Sequence, residues 1–189
     1  MSFSVSGKTA IVTGAAAGVG LAIARRQGFG KTVLLADVSE TILSAAAREL
    51  DAAGYNVVTR LVDVSSKDSV LALADAAQAL GRVTQLINTA GLSPNMASPD
   101  RVLAVDLYGV ALVFEAFEAV IAPGGAGLVI SSMAGHMPAP LPPEQEQALA
   151  FTPAADLLAL PFLGPDVVTD SMAAYGLSKR ANHLRVQAA

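Results

Sequence analysis

Short apolar runs alternate with segments of helical character along most of the chain. The runs are nearly continuous rather than alternating, which is typical of parallel strands whose two faces are both covered by helices. We place strands at residues 9–12, 32–36, 56–62, 83–87 and 127–130. The regular β–α order predicts an α/β fold, a doubly wound parallel sheet of the Rossmann type.

Polar residues and glycines mark the ends of the helices between these strands. Ser98-Pro99-Asp100 is a strong start signal, because it combines a side-chain cap, a proline in the first turn and an acid at the positive helix end. The apolar stretch that follows, Val102 to Ala122, is interrupted by acidic residues and predicts a helix buried in protein rather than in a membrane. Earlier helices are predicted at residues 19–27, 39–54 and 66–80.

The segment from Met133 to Ala173 breaks this rhythm, because seven prolines divide it into short pieces. Two pieces have helical character, Pro143 to Ala150 and Thr152 to Leu160, the second with Thr152 as its cap. Since the segment also carries large apolar residues, we interpret it as an ordered helical insertion between the fifth strand and the next helix. No linker or repeat divides the sequence, which predicts one domain over residues 1–189.

Composition excludes several classes of function. The chain has 189 residues, no cysteine and a formal net charge of −4. Disulfides therefore cannot hold the fold, and no thiolate can act as a nucleophile or zinc ligand. Without a basic run, we expect neither a nucleic-acid nor a membrane partner. The first residues faintly resemble a signal peptide, but glycines and the pair Arg25-Arg26 interrupt its apolar centre, so we expect a cytoplasmic protein.

Three glycines follow the first strand, in the run from Thr13 to Gly20. A glycine turn between a strand and a helix lets the backbone approach a pyrophosphate and directs the helix N-terminus at its charge. We predict that the loop contacts a dinucleotide through Gly14, Ala16, Gly18, Val19 and Gly20.

Asp37 ends the second strand, where a carboxylate can accept hydrogen bonds from the adenosine ribose hydroxyls. The same carboxylate would repel a 2′-phosphate, and no basic residue stands in the glycine loop or directly after Asp37 to offset that repulsion. The predicted cofactor is therefore NAD(H) rather than NADP(H).

Four further motifs follow the glycine loop in sequence order. Asp63-Val64 comes after the third strand, Asn88-Thr89-Ala90-Gly91 after the fourth, Ile130-Ser131-Ser132 at the end of the fifth, and Tyr175-Gly176-Leu177-Ser178-Lys179 in the last helix. Each motif is common by itself, but five in this order at strand ends resemble the short-chain dehydrogenase/reductase family, in its compact single-domain branch. The resemblance covers residues 6–189 apart from the insertion.

The resemblance implies further contacts with the cofactor. Asp63 and Val64 would lie beside the adenine ring, with Asp63 in contact with its amino group. The run that starts at Asn88 resembles the family's Asn-Asn-Ala-Gly element, which stabilises the central sheet and lies along the cofactor. It would contribute Asn88, Ala90 and Gly91.

The resemblance also implies the catalytic residues. Tyr175 would exchange a proton with the substrate oxygen, Lys179 would favour the phenolate and hold the nicotinamide ribose, and Ser132 would donate a hydrogen bond to the same oxygen. The chemistry of the residues agrees, because Tyr175 and Lys179 share a helix face. A free tyrosine ionises only near pH ~10, and a neighbouring ammonium favours its ionised form. The implied activity is hydride transfer between NAD(H) and a secondary alcohol or ketone.

Asp106 departs from the resemblance, because the family usually has asparagine at this position. That asparagine helps to order a water chain that reaches the active-site lysine. Aspartate keeps an oxygen acceptor, loses the amide donor and adds a charge, so it either still pairs with Lys179 through water or reduces activity. Asp106 is included in the predicted catalytic site as an altered member.

The insertion must emerge beside the substrate pocket, since Ser132 and Tyr175 flank it. Its apolar residues either line a pocket for a bulky steroid-like or alicyclic substrate or pack the insertion onto the body or onto another subunit. Relative to the family the chain also ends early, within the helix that reaches Ala189, so the final strands and substrate lid are absent. The sequence leaves open whether it is a fragment or a chain whose missing part is supplied by a partner.

The two histidines, His136 and His183, are far apart in the sequence and lack acids at ligand spacing, so no metal site is expected. We place His136 at the start of the insertion and His183 on a helix surface. Arg180 and Arg185 are expected on a solvated or intersubunit face. In the family, the helices that correspond to residues 100–122 and 173–189 pair across a dimer, which predicts a homodimer or homotetramer.

Two classes of function stay open. One is an NAD-dependent dehydrogenase or reductase acting on a small-molecule alcohol or ketone. The other is a non-catalytic NAD-binding or scaffold protein of the same fold, which Asp106 and the early end favour. An acyl-carrier ketoreductase is disfavoured by the lack of NADP-type basic residues and by the long segment between Ser132 and Tyr175. An epimerase or dehydratase of the family's longer branch is disfavoured by the glycine spacing.

Overall fold

The computed structural model describes residues 7–15, 17–137 and 139–189. It divides into two compact units. The first unit contains the residues up to Ala90 together with Val113–Val129, and the second contains Gly91–Leu112 and Ile130–Ala189. That the chain is a single domain stays a prediction.

The first unit contains a five-stranded parallel sheet with the order β3-β2-β1-β4-β5. Its strands are β1 (Lys8–Thr13), β2 (Thr32–Asp37), β3 (Asn56–Leu61), β4 (Arg82–Asn88) and β5 (Ile121–Val129). Five of the six positions in both β1 and β2 are buried, which explains their continuous apolar sequence. The predicted doubly wound α/β fold is confirmed.

Three helices connect the first four strands: α1 (Gly18–Gln27), α2 (Glu40–Ala52) and α3 (Lys67–Ala79). The Ser66 hydroxyl caps α3 by accepting a hydrogen bond from the Ser69 amide. A core between one face of the sheet and the first two helices contains Val12, Ala15, Ala24, Val33, Leu35, Leu43, Ala46, Leu50 and Ile87. This apolar layer fixes the position of the loop after β1.

Strand β5 is longer than predicted and starts earlier. Ile121 pairs with Val83, and the regular pairing resumes where Ala126 lies opposite Gln85. Between these points the run Ala122–Gly125 lies opposite Thr84 alone, so the strand bulges. The sequence hid this start because Pro-Gly-Gly indicates a turn, and the preceding helix, predicted to reach Ala122, in fact ends at Glu118.

The second unit is helical. It contains α4 (Pro99–Val102), a π-helical turn (Leu103–Tyr108), the start of α5 (Gly109–Glu118), α6 (Pro143–Phe151), α7 (Ala154–Leu157) and α8 (Ser171–Ala188). Single 3₁₀ turns lie at Met133–His136 and Pro161–Leu163. The Asp170 carboxylate begins α8 by accepting hydrogen bonds from the amides of Met172 and Ala173.

Two helices therefore lie within the segment predicted as an insertion, but the proposed cap of the second was wrong. Thr152 ends α6, since its amide donates to the Ala148 carbonyl, and α7 begins only at Ala154. The reason is Pro153, which disfavours helical backbone angles in the residue before it. Among the described residues, no helix is both long enough and apolar enough to cross a membrane.

Candidate active site

The first unit contains a topological switch point between β1 and β4. From β1 the chain passes to β2 and β3 on one side, and it then crosses to β4 and β5 on the other. In doubly wound sheets, ligands bind at the carboxyl ends of the two strands where the order reverses. Here those ends carry the glycine loop and the run that begins at Asn88.

Two glycines allow the loop to pack directly on the backbone after β4. A Cβ on Gly14 would lie 2.6 Å from the Ala90 nitrogen, and φ at Gly14 is +64°. A Cβ on Gly20 would lie 2.5 Å from the Gly14 carbonyl oxygen and 2.6 Å from the Thr89 hydroxyl oxygen. These glycines are required by the fold of the loop, and they place the start of α1 at the end of the sheet.

Threonine hydroxyls join the same two strand ends. Thr13 donates to the Asn88 side-chain oxygen at 2.6 Å, and Asn88 is only 1% exposed. Thr89 donates to the Thr13 carbonyl oxygen at 2.6 Å and lies 3.1 Å from the Gly14 carbonyl oxygen. Sequence reasoning missed both threonines as site residues. The threonine at the second position of the Asn-Asn-Ala-Gly element was the available signal.

The N-terminus of α1 fits an anionic group. Ala17, the N-cap residue, has no side chain that could accept from the helix amides, and the first turn carries no acid. A Cβ on Gly18 would have no heavy atom within 4 Å, so the backbone there is open to a ligand. Val19 is 58% exposed. Ala16, the remaining predicted loop contact, lies outside the described residues.

The two predicted adenosine contacts lie after neighbouring strands. The Asp37 carboxylate is half-buried and accepts from the Ser39 amide at 3.1 Å. Asp63 accepts from the Ser65 amide at 2.9 Å and from its hydroxyl at 2.6 Å, while Val64 is buried. Both carboxylates are thus fixed by turns at the strand ends.

The second unit brings Asp106 and Lys179 together directly. Their Oδ2 and Nζ atoms are 3.0 Å apart, and the two side chains are 0% and 6% exposed. The Leu92 amide donates to the other carboxylate oxygen at 2.7 Å. Gly91 packs on the pair, since a Cβ there would lie 3.2 Å from Asp106 and 3.4 Å from Lys179. The structure therefore shows direct pairing, where the sequence left a link through water open.

The π-helical turn sets the position of Asp106. Turns of this type are wider than α-helical ones and free backbone carbonyls from the regular pattern. The Asn182 amide nitrogen, in the orientation that satisfies it, donates to the carbonyl oxygens of Asp106 and Ser178, each at 3.2 Å. Asn182 was not predicted as a site residue, because its partner is distant in the sequence.

Burial raises the pKa of Asp106 above its usual value of 3.8, although the Lys179 charge and the Leu92 amide oppose the rise. The folded protein therefore binds the Asp106 proton more tightly than the unfolded chain. Ionising the carboxyl costs stability, so its contribution to the free energy of unfolding should fall as pH rises from about 3.8 to the raised value.

Asp106→Asn removes this titration and provides the test. The difference in free energy of unfolding between wild type and Asp106→Asn should decrease with rising pH across that window and then level off. Urea unfolding at a series of pH values between about 4 and 7 measures it. A difference that instead increases with pH would mean that Lys179 outweighs burial and lowers the pKa of Asp106.

Tyr175 and Lys179 lie one turn apart on α8. Nζ of Lys179 is 5.2 Å from the centre of the Tyr175 ring, close enough for a cation–π interaction. Ser131 donates its hydroxyl proton to the Lys179 carbonyl at 2.9 Å. Ser132 instead accepts from the Ala134 amide at 3.1 Å. The structure thus brings Ser132, Tyr175, Lys179 and Asp106 into one unit.

Gly135 holds the serine turn against α8. A Cβ on Gly135 would lie 2.7 Å from the Arg180 nitrogen and 2.7 Å from the Lys179 carbonyl carbon. Only glycine permits this approach, which positions the 3₁₀ turn capped by Ser132 beside the helix of Tyr175. Sequence reasoning missed Gly135, although its place three residues after Ser132 was a usable signal.

The expected solvated or intersubunit position is wrong for Arg185, which is buried, whereas Arg180 is partly exposed. Arg180 donates to the Glu146 carboxylate at 2.9 Å, and Arg185, only 8% exposed, donates to the Thr152 carbonyl. Both bind the segment between Ser132 and Tyr175. These long-range partners cannot be identified from sequence periodicity.

The rings of the two histidines are in contact, although the residues are far apart in the sequence. The rings of His136 and His183 are 4.4 Å apart at an angle of 51°. His183 is half-buried rather than on an open helix surface. Within the described residues, no group of three or more metal-binding side chains is close enough to hold a metal ion.

An open groove lies between the segment after Ser132 and α8. Its lining combines apolar residues with two basic ones: Pro140, Leu141, Leu177, His136 and Arg180. The groove borders the residue that follows Tyr175, Gly176. Part of the segment after Ser132 thus forms a concave, largely apolar surface.

Comparison with known proteins gives consistent matches. The family model for short chain dehydrogenases matches residues 8–143. The short-chain dehydrogenase/reductase bsc3 of Alternaria brassicicola is 42% identical over 184 residues, which are 97% of this chain and 66% of that protein. The 3beta-hydroxysteroid dehydrogenase 2 of Eggerthella lenta is 36% identical over 94 residues, 49% of this chain and 36% of that protein.

A solved structure matches over nearly the whole chain. It is a short chain dehydrogenase/reductase from Burkholderia phymatum in complex with NAD, 29% identical, with a TM-score of 0.66. The match covers 96% of this chain and 58% of that one. The chain therefore spans less than two thirds of the length of these proteins.

Proposed function

The chain belongs to the short-chain dehydrogenase/reductase family, and we propose that it transfers hydride between NAD(H) and a secondary alcohol or the corresponding ketone. The observation that carries this proposal is the arrangement of the Ser131 and Ser132 hydroxyls beside α8. The Ser131 hydroxyl donates its proton to the Lys179 carbonyl. The Ser132 hydroxyl instead accepts a hydrogen bond from the Ala134 amide, so its own proton is available for a substrate. Ser132 thus supplies a hydrogen-bond donor for the substrate oxygen. It caps the 3₁₀ turn that Gly135 packs against α8, the helix that carries Tyr175.

The chain's own residues then have distinct roles. Tyr175 gives its phenolic proton to the oxygen during ketone reduction and takes it back during alcohol oxidation. Ser132 donates a hydrogen bond to the same oxygen and stabilises the charge that develops on it. Lys179 holds the nicotinamide ribose, and Asp106 holds Lys179. When bound, the nicotinamide supplies or accepts the hydride.

The glycine loop of the first unit binds the pyrophosphate in this proposal, through Gly14, Gly18, Val19 and Gly20. The remaining cofactor contacts are those of the sequence prediction: Ala16, Asp37, Asp63, Val64, Asn88, Ala90, Gly91, Tyr175 and Lys179. The buried Asn88 side chain supports the sheet end through Thr13. The NAD complex of the Burkholderia relative supports a dinucleotide as the ligand.

The choice of NAD(H) over NADP(H) rests on Asp37. Arg60 is the nearest basic residue in the strand register, where it lies opposite Ala36. Paired residues of parallel strands point to the same face and successive residues alternate, so Arg60 and Asp37 emerge on opposite faces. Arg60 is thus badly placed to offset the repulsion between Asp37 and a 2′-phosphate.

Calorimetric titration of wild type with NADH and NADPH tests this choice. NADH should bind more tightly, and Asp37→Ala should weaken NADH binding by about 10–100-fold, as expected for lost hydrogen bonds to a charged acceptor. Asp37→Ala should also reduce the difference between the affinities for NADH and NADPH. Asp51→Ala, an exposed aspartate at the end of α2, is the matched control and should change neither affinity. Equal affinities of wild type for the two cofactors would contradict the choice.

For the substrate, we propose a bulky hydrophobic secondary alcohol or ketone, of steroid-like or alicyclic shape. The apolar part of the groove beside α8 supports this class. The similarity to the 3beta-hydroxysteroid dehydrogenase 2 of Eggerthella lenta also supports this class. We further propose a homodimer or homotetramer in the cytoplasm.

The alternative is a non-catalytic NAD-binding or scaffold protein of the same fold. The direct pairing of Asp106 with Lys179 favours it, because the carboxylate occupies the ammonium group that would otherwise hold the nicotinamide ribose. The two functions differ in turnover. A protein that binds NADH with the predicted selectivity but oxidises no secondary alcohol from a broad screen would be the scaffold.

A further inference from the structure

We propose that Thr89 is a positioning residue for the dinucleotide, because its hydroxyl fastens the glycine loop to the end of β4. The inference rests on the proposed function for the identity of the ligand. It concerns a residue that replaces the second asparagine of the family element. Its geometry lies entirely within the first unit.

The hydroxyl contacts the loop at two successive carbonyls. It donates to the Thr13 oxygen at 2.6 Å and lies 3.1 Å from the Gly14 oxygen. Gly14 is the residue at which the chain leaves β1 with φ of +64°. The hydroxyl therefore acts where the backbone turns from the sheet into the loop.

The Thr89 hydroxyl oxygen also packs directly against the first turn of α1. A Cβ on Gly20 would lie 2.6 Å from the Thr89 hydroxyl oxygen, so the first turn of the helix rests on this atom. A methyl group in its place is larger and offers no hydrogen bond to the two carbonyls. The loop and the helix start would both have to move outward, away from the position that a pyrophosphate requires.

The sheet itself does not depend on this hydroxyl. The Thr89 amide also donates to the Thr13 oxygen, at 3.1 Å, and this backbone bond survives any side-chain change. Thr84 provides a comparison on the same strand, since its hydroxyl donates to the Thr9 carbonyl at 3.3 Å, again across β1 and β4 but away from the loop. If a threonine between these strands served only the sheet, the two residues would be equivalent.

The test compares Thr89→Val with Thr84→Val by two measurements. Calorimetry should show that Thr89→Val weakens NADH binding by about tenfold, as expected when buried carbonyls lose a hydrogen bond. Thr84→Val should bind as wild type does. Thr89→Ser, which keeps the hydroxyl and loses the methyl, should restore most of the affinity.

The second measurement needs no cofactor. Amide hydrogen exchange of the peptide from Thr13 to Leu21, followed by mass spectrometry, should be faster in Thr89→Val and unchanged in Thr84→Val and Thr89→Ser. Wild-type exchange in Thr89→Val, or an equal effect of Thr84→Val, would overturn the inference. Failure of wild type to bind either NADH or NADPH would overturn the proposed function instead, while the exchange measurement would still decide the role of Thr89.

Discussion

Tyr175→Phe is expected to lower kcat/KM for a secondary alcohol by about 10²–10⁴-fold, the usual contribution of a general acid or base. The substitution removes only the phenolic oxygen, and the ring remains in place beside Lys179. NADH affinity, measured by calorimetry, should fall by no more than about tenfold, because Tyr175 is one of many proposed cofactor contacts and the pyrophosphate contacts belong to the glycine loop. Steady-state rates with a panel of alicyclic alcohols provide the measurement.

Tyr55→Phe is the matched control. The Tyr55 hydroxyl donates to the Arg25 carbonyl at 2.8 Å in the first unit, so its loss removes a hydrogen bond without touching α8. Its kcat/KM should equal that of wild type. Full activity in Tyr175→Phe would exclude the tyrosine as the proton donor, and no turnover by wild type would favour the scaffold alternative.

Lys179→Met is expected to lower the free energy of unfolding by about 3–5 kcal/mol at neutral pH, the cost of leaving one member of a buried ion pair without its partner. Asp106 is 0% exposed, and its remaining Leu92 hydrogen bond would not offset the isolated charge. The loss should shrink at acid pH, because the raised pKa of Asp106 lets the carboxyl take up a proton. Urea unfolding measures the effect at each pH.

The double variant Asp106→Asn/Lys179→Met separates the pair from its surroundings. With both charges gone, much of the stability should return, so the coupling energy from the double-mutant cycle should be large and favourable. Lys67→Met, at an exposed lysine at the start of α3, is the control for loss of one positive charge. Additive effects of the two single variants would show that the pair contributes nothing as a unit.

The sequence predicted the sheet and the first three helices because their apolar runs are continuous and end at glycines or caps. Ser66 and Asp37 are examples of polar residues whose place at an element boundary is visible without a structure. The start of β5 was not visible. Pro123 and the two glycines after it hide a bulge that only pairing with β4 reveals.

The candidate site was predictable where chemistry and spacing coincide in a short motif, as for Tyr175 and Lys179. It was not predictable where a residue acts through a distant partner. Thr89 and Gly135 matter because backbone from elsewhere in their own unit lies within contact distance. Arg185 was misplaced for the same reason, since its partner Thr152 is 33 residues away. Long-range proximity of this kind has no signature in a single sequence.

The wide turn at Leu103–Tyr108 sets the rotational phase between Asp106 and the helix after it. A π-helical turn holds one residue more than an α-helical turn would. Deleting a single residue between Asp106 and Gly109 would return the segment to ordinary α-helical pitch and change the position of Asp106 relative to α5. An alignment would show only a one-residue gap in a helix, with the aspartate still present. The length of this turn is therefore as much a determinant of the ion pair as the identity of residue 106.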